Sequence, residues 1–153
     1  MSEGGCTTGA DARMRTRPGI AGRVLKAGRF GLKGCEMIVG IHHVAIQVAD
    51  VAAARAFYVD VLGLEEIARP DFPVAGAWFK LGDQQLHIGE DANHRAPDRQ
   101  HFAVRVDNLD ATVAAIEAHG GDVRRAAQAL PGAGLQASIR DPSGNLIELN
   151  QPD

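Results

Sequence analysis

Cysteines, aromatic residues and long apolar runs are all scarce in this sequence, and each scarcity removes a class of protein. Two cysteines occur, Cys6 and Cys35, both near the start of the chain. A disulfide-stapled secreted fold would place them in its ordered part, so a reducing, cytoplasmic setting is expected. No apolar stretch approaches the ~18 residues that cross a bilayer, and the start has no continuous apolar segment of a secretory signal. Positive charge is not in excess either, with 16 Lys and Arg against 19 Asp and Glu. The first 37 residues hold seven of those cations and three of the acids. The remainder is therefore acidic, which argues against a phosphate-backbone binding face.

What is present is a one-domain length of 153 residues, 45% of them hydrophobic. That supports one modest core and excludes wholesale disorder. Residues 1–37, rich in Gly, Arg and Thr, show no sustained apolar period and are expected to form a flexible basic tail. Their character is that of an organelle-targeting segment or, as the preferred reading, of a frame opened upstream of a natural start at Met37. The folded part is expected over 38–153.

From Ile41 the texture changes. Ile41-His42-His43-Val44-Ala45-Ile46-Gln47-Val48 alternates with a period of two, setting His42, Val44, Ile46 and Val48 on one face. His43, Ala45 and Gln47 take the other. Asp50 stands as a helix N-cap, followed at helical spacing by Val51, Ala54, Phe57, Tyr58, Val61 and Leu62, with Gly63 as the terminator. Strands are expected near 65–68, 77–81 and 84–88, with Gly82-Asp83 turning between the last two.

The arrangement then recurs at an offset of 58. His43 matches His101, Ala45 matches Ala103, Val48 matches Val106, Asp50 matches Asn108, and Gly63 matches Gly121. A helix over about 110–119 and strands near 122–125, 136–140 and 145–150 complete the second copy. Asp141-Pro142-Ser143-Gly144 supplies its last turn. Self-similarity at one period marks a duplicated unit, about 39–92 and 98–151. The fold class expected is α+β: two tandem βαβββ modules whose mixed sheet forms a cup.

The chemistry sits on the second face. Each first strand carries a histidine there, His43 and His101. In the last strand of the first copy, Leu86-His87-Ile88 sets an imidazole between apolar neighbours. In the last strand of the second, Ile147-Glu148-Leu149 sets a carboxylate in the same place. A lone histidine or glutamate on a strand is usually just solvated. Four of them at matched positions in two copies are not explained that way, and an unpaired buried carboxylate costs several kcal/mol, of order. One divalent cation bound by His43, His87, His101 and Glu148 would satisfy all four.

His43-Val44-Ala45-Ile46, the Asp50-capped helix with Phe57-Tyr58 and Leu62-Gly63-Leu64, His101-Phe102-Ala103-Val104, and the run from Asp141 to Leu149 resemble the vicinal oxygen chelate superfamily. That superfamily includes glyoxalase I, methylmalonyl-CoA epimerase, extradiol dioxygenases and fosfomycin- and bleomycin-resistance proteins. The resemblance covers about residues 39–151. It implies His43, His101 and Glu148 as ligands, with Glu148 also the proton-transfer group. His87 departs from the usual Glu or Gln, so it can ligate but cannot act as a carboxylate base. It further implies a homodimer whose clefts are completed by halves from two subunits.

Imidazole and carboxylate donors suit Fe(II), Ni(II), Co(II), Zn(II) or Mn(II). Neighbouring open positions take two vicinal substrate oxygens, for lyase or isomerase chemistry. Alternatively, His43, His101 and Glu148 form a facial set for dioxygenase chemistry, leaving His87 as a hydrogen-bonding or acid–base group. A third reading is a ligand-sequestering, bleomycin-resistance-like protein without catalysis, although such proteins tend to lack this donor set. The short chain and the absence of a glutathione-holding segment argue against glyoxalase I itself. Gln47 and Arg105 continue the cleft face and are candidate substrate contacts. His94 and His119 are expected to be solvated, and of the adjacent Trp78 and Phe79 one belongs to the core.

Overall fold

The fold is taken from a computed structural model that describes Ile38–Asp153. The tail expected over 1–37, with both cysteines, lies outside the described residues. Two copies of one motif follow in order. The first runs β1 (His43–Val48), α1 (Val51–Ala56), β2 (Glu66–Ile67), β3 (Gly76–Leu81) and β4 (Gln84–Glu90). The second runs β5 (His101–Arg105), α2 (Leu109–Ala118), β6 (Asp122–Leu130), β7 (Gly134–Arg140) and β8 (Leu146–Gln151).

Each copy forms its own four-stranded mixed sheet, β1-β4-β3-β2 and β5-β8-β7-β6. The first strand pairs parallel with the last, and the other neighbours are antiparallel. This register decides the site. Ala45 lies opposite His87, so His43 and His87 share one face of their sheet. Ala103 lies opposite Glu148, so His101 and Glu148 do the same in the other.

Both helices begin where the residue types require. Asp50 Oδ1 accepts from the Ala52 and Ala53 N–H groups at 2.8 and 3.1 Å, and Asn108 Oδ1 accepts from Ala111 N–H at 3.0 Å. These caps satisfy amide groups that have no partner inside the helix. Helix α1 widens into a π-helical stretch, Phe57–Val61, which ends at Gly63 with φ +66°. Phe57 and Tyr58, adjacent in sequence, are both buried there. The α2 terminus differs from expectation. Gly120, not Gly121, takes the positive φ of +77°. Gly121 is needed for room, because a Cβ there would lie 2.3 Å from Ile116 Cγ2.

The core lies on the opposite faces of the sheets from the four donors. Val48, Phe79, Leu86 and Ile88 from the first sheet join Ala137, Ile139, Ile147 and Leu149 from the second, with Tyr58, Leu109 and Ile116 from the helical segments. Burying each large side chain contributes roughly 1.5–3 kcal/mol relative to exposure. A buried polar clasp also ties the copies together. Asp141 accepts from the Tyr58 hydroxyl at 2.9 Å and from Asn145 Nδ2–H at 2.8 Å. Asn145 Nδ2 also donates to the Gln47 carbonyl, and the Ser143 hydroxyl accepts from Ala49 N–H, each at 2.9 Å. Burial first, then the Asp141 charge and its hydrogen bond, push the Tyr58 phenol far above its ordinary range.

Candidate metal centre

The first sheet brings together His43, His87 and Trp78. The His43 and His87 rings stack with centroids 4.2 Å apart, and Trp78 stacks almost parallel on His87 at 3.9 Å. Gln85 Oε1 accepts from His87 Nε2 at 2.8 Å, which leaves the Nδ1 lone pair of His87 available as a donor to a ligand. His42 and His43 share a hydrogen bond between their Nδ1 atoms at 2.9 Å. His87 sits below its ordinary pKa, first because burial disfavours the imidazolium and then because His43 and His42 would repel it. A neutral imidazole is the form that binds a metal.

The second sheet brings together His101 and Glu148. His101 Nδ1–H donates to the Arg99 carbonyl at 3.0 Å, which turns Nε2 toward Glu148 Oε2 at 3.7 Å. A ring nitrogen fixed by a backbone carbonyl, with the other left free, is the usual preparation of a ligating histidine. Glu148 is flanked on its far side by Ser138, its cross-strand neighbour, and by Arg125, whose Nη2 lies 3.9 Å from Oε2. In donor chemistry, imidazole with imidazole and imidazole with carboxylate, both pairs suit a divalent ion.

The four donors do not meet within one chain. Among the described residues, no three His, Cys, Asp or Glu side chains come close enough to hold one ion. One subunit presents the four groups as two pairs on two sheets.

Gln47 lies on the donor face of β1 and, with His101, lines a cavity of about 420 Å³. Arg105 is exposed on the same face of β5, beside the β3–β4 turn. His94 is not merely solvated: its Nε2 bonds Asn145 Oδ1 at 2.9 Å, which joins it to the clasp. No local pattern foretold this, because the partner lies 51 residues away. His119 is exposed at the end of α2, with Nδ1 bonded to the Ala115 carbonyl. Phe79 is in the core, and Trp78 occupies the donor face.

Comparison with known proteins decides the ancestry. Residues 40–149 match the family model of the Glyoxalase/Bleomycin resistance protein/Dioxygenase superfamily. The chain belongs to that superfamily. It is 30% identical over 120 residues to a lactoylglutathione lyase of Haemophilus influenzae, covering 71% of this chain and 89% of that enzyme. It is 29% identical over 121 residues to the mitochondrial methylmalonyl-CoA epimerase of Bos taurus, covering 70% of this chain and 62% of the epimerase. The crystal structure of a glyoxalase family protein from Bacillus anthracis superposes with a TM-score of 0.68 at 32% identity, over 78% of this chain and 99% of that one. The α+β glyoxalase-like fold follows directly. The short chain, taken above as an argument against glyoxalase I, is no such argument, since its match spans 89% of the bacterial lactoylglutathione lyase.

Proposed function

We propose that this protein is a divalent-metal-dependent enzyme of the lyase or isomerase type, acting on a small substrate with two vicinal oxygens. His43, His87, His101 and Glu148 would hold the ion. One observation carries the reading: each copy of the motif sets two metal-competent donors side by side on the non-core face of its sheet, at repeat-equivalent positions. Two donors are too few for a stable site, whereas two plus two make a full set. A homodimer in which His43 and His87 of one subunit face the second-half pair of the other supplies it. Two-fold symmetry then creates two such sites per dimer.

When bound, the ion supplies Lewis acidity to the paired substrate oxygens, stabilising charge that develops as an adjacent C–H proton departs. The chain's own residues do the rest. Glu148 is the carboxylate placed to take and return that proton. His101, oriented by the Arg99 carbonyl, keeps its Nε2 beside Glu148. His87 cannot replace a carboxylate base, so the two halves divide the work unequally. Trp78 covers one face of His87. Gln47 and Arg105 are proposed contacts for the remainder of the substrate. The similarity to both a lyase and an epimerase favours proton transfer over dioxygenation, since neither of those names denotes a reaction with an oxidant.

The test is metal quantification on protein purified without chelators, alongside two double variants. His43→Ala/His87→Ala and His101→Ala/Glu148→Ala are each expected to lose nearly all bound Fe, Ni, Co, Zn or Mn. Refolded together, they form mixed dimers with one intact site, and those dimers should regain one ion each. Full metal content in either variant refutes the ligand set, and mixed dimers that remain empty refute the shared site. Wild-type protein without metal that takes up an aromatic compound in dialysis would favour a sequestering role.

A further inference from the structure

The second sheet carries a cation whose hydrogen-bonding capacity is largely unspent. Among the described residues, Arg125 Nε is buried without any hydrogen-bond partner. Its Nη2 reaches Gln136 Oε1 only at 3.4 Å and Glu148 Oε2 only at 3.9 Å. A guanidinium offers five N–H donors in a planar fork, and a settled Arg–carboxylate pair closes to about 2.7–2.9 Å. Arg125 is thus not simply the counter-charge of Glu148.

Its position results from a specific irregularity. Regular alternation from Val123, which pairs with Ile139 of the core, would return Arg125 to the core face. Instead the register of β6 shifts between them, and Arg125 lies opposite Ser138. An extra residue in one strand re-aims the side chains that follow, and such bulges occur often beside functional sites. The outcome is a row across the sheet: Arg125, Ser138, Glu148, Ala103.

The first sheet has the same row: Ile67, Trp78, His87, Ala45. Matching backbone rows carry different chemistry. Beside the imidazole donor stand an indole and an aliphatic side chain, and beside the carboxylate donor stand a hydroxyl and a guanidinium. A purely structural row would have no need of a cation there, since Ile67 fills the equivalent place in the first sheet.

We propose that Arg125 and Ser138 form an anion subsite beside Glu148, so that the substrate carries a carboxylate or phosphate group close to its two vicinal oxygens. This rests on the metal-site reading for the placement of those oxygens, but not for recognition of the anion. An open cavity of about 230 Å³, lined by Asp98, Arg99, His101, Arg125, Ser138 and Glu148, has room for such a group. Asp98 and Glu148 repel an anion there, and Arg99 and Arg125 offset them. The oxygens of the anion would accept from the Nη groups of Arg125 and from the Ser138 hydroxyl.

Three probes share one vicinal diol and differ at the third carbon: glycerol 3-phosphate, glycerate and glycerol. Calorimetric titration of full-length protein, with metal content measured on the same sample, is expected to rank at least one anion tenfold or more above glycerol. Whichever of the two is tighter identifies the source of the charge. Arg125→Gln should abolish most of that preference with metal content unchanged, and Arg125→Lys should retain part of it. No anion preference in the wild type, or full preference in Arg125→Gln, overturns the proposal. Parallel loss of metal in Arg125→Gln also overturns it, since Arg125 would then serve only to place Glu148. If the wild type binds no metal yet shows an Arg125-dependent anion preference, the subsite stands and the metal reading falls.

Discussion

Single side chains divide into those that hold the fold and those that face the candidate chemistry. Glu148 belongs to the second group, sheltered but on the open face of β8. Glu148→Gln keeps its volume and removes its charge. The expected result is a melting temperature within a few degrees of wild type and at least tenfold weaker metal affinity, read by competition with a chromogenic chelator. His87 gives a pH prediction for the metal-free protein. Its folded pKa lies below its ordinary value near 6.5, so the unfolded chain binds more protons as pH falls. Its contribution to stability is therefore complete above about pH 6.5 and declines as pH drops through the folded value. Denaturant midpoints between pH 5 and 7.5 should show a shallower slope in His87→Phe than in wild type, and equal slopes would refute the assignment.

Strands and turns were readable to different depths. The period-two alternation of β1 and β5 named the faces of His43 and His101 correctly, because both strands are regular. Arg125 escaped the same reasoning, since counting by twos fails across a bulge and only the cross-strand partner reveals it. The strand expected near 122–125 also extends to Leu130, as pairing with β7 carries it beyond its own pattern. Helix termination after α2 was misplaced by one residue, because either glycine could open the turn and the contact with Ile116 chose between them. Gly76 provides a test of strand packing. A Cβ there would meet the Ile88 carbonyl oxygen at 2.3 Å, against the strand that holds His87. Gly76→Ala should cost about 1–3 kcal/mol in chemical denaturation and loosen the Trp78–His87 stack, seen as altered tryptophan fluorescence. Unchanged stability and emission would contradict that packing.

The molecule as a whole depends on the clasp between its copies. Tyr58→Phe removes one hydrogen bond to Asp141 and should cost about 1 kcal/mol. Asp141→Ala strands the Tyr58 hydroxyl and the Ser143 and Asn145 backbone N–H groups, at roughly 1–3 kcal/mol for each unpaired group, so its melting temperature should fall several times further. Equal losses in the two variants would mean that Asp141 is not the hub of the network.

Duplication, the βαβββ order and the helix N-caps were legible in the chain because each rests on local pattern: alternation, capping chemistry and a constant offset. The placing of His43 and His87 on one sheet and of His101 and Glu148 on the other, the turning of Arg125 toward Glu148 and the seating of His94 on Asn145 were not. Those depend on strand register and on the placing of one sheet relative to the other, where residues distant in sequence meet and no short-range spacing carries the information.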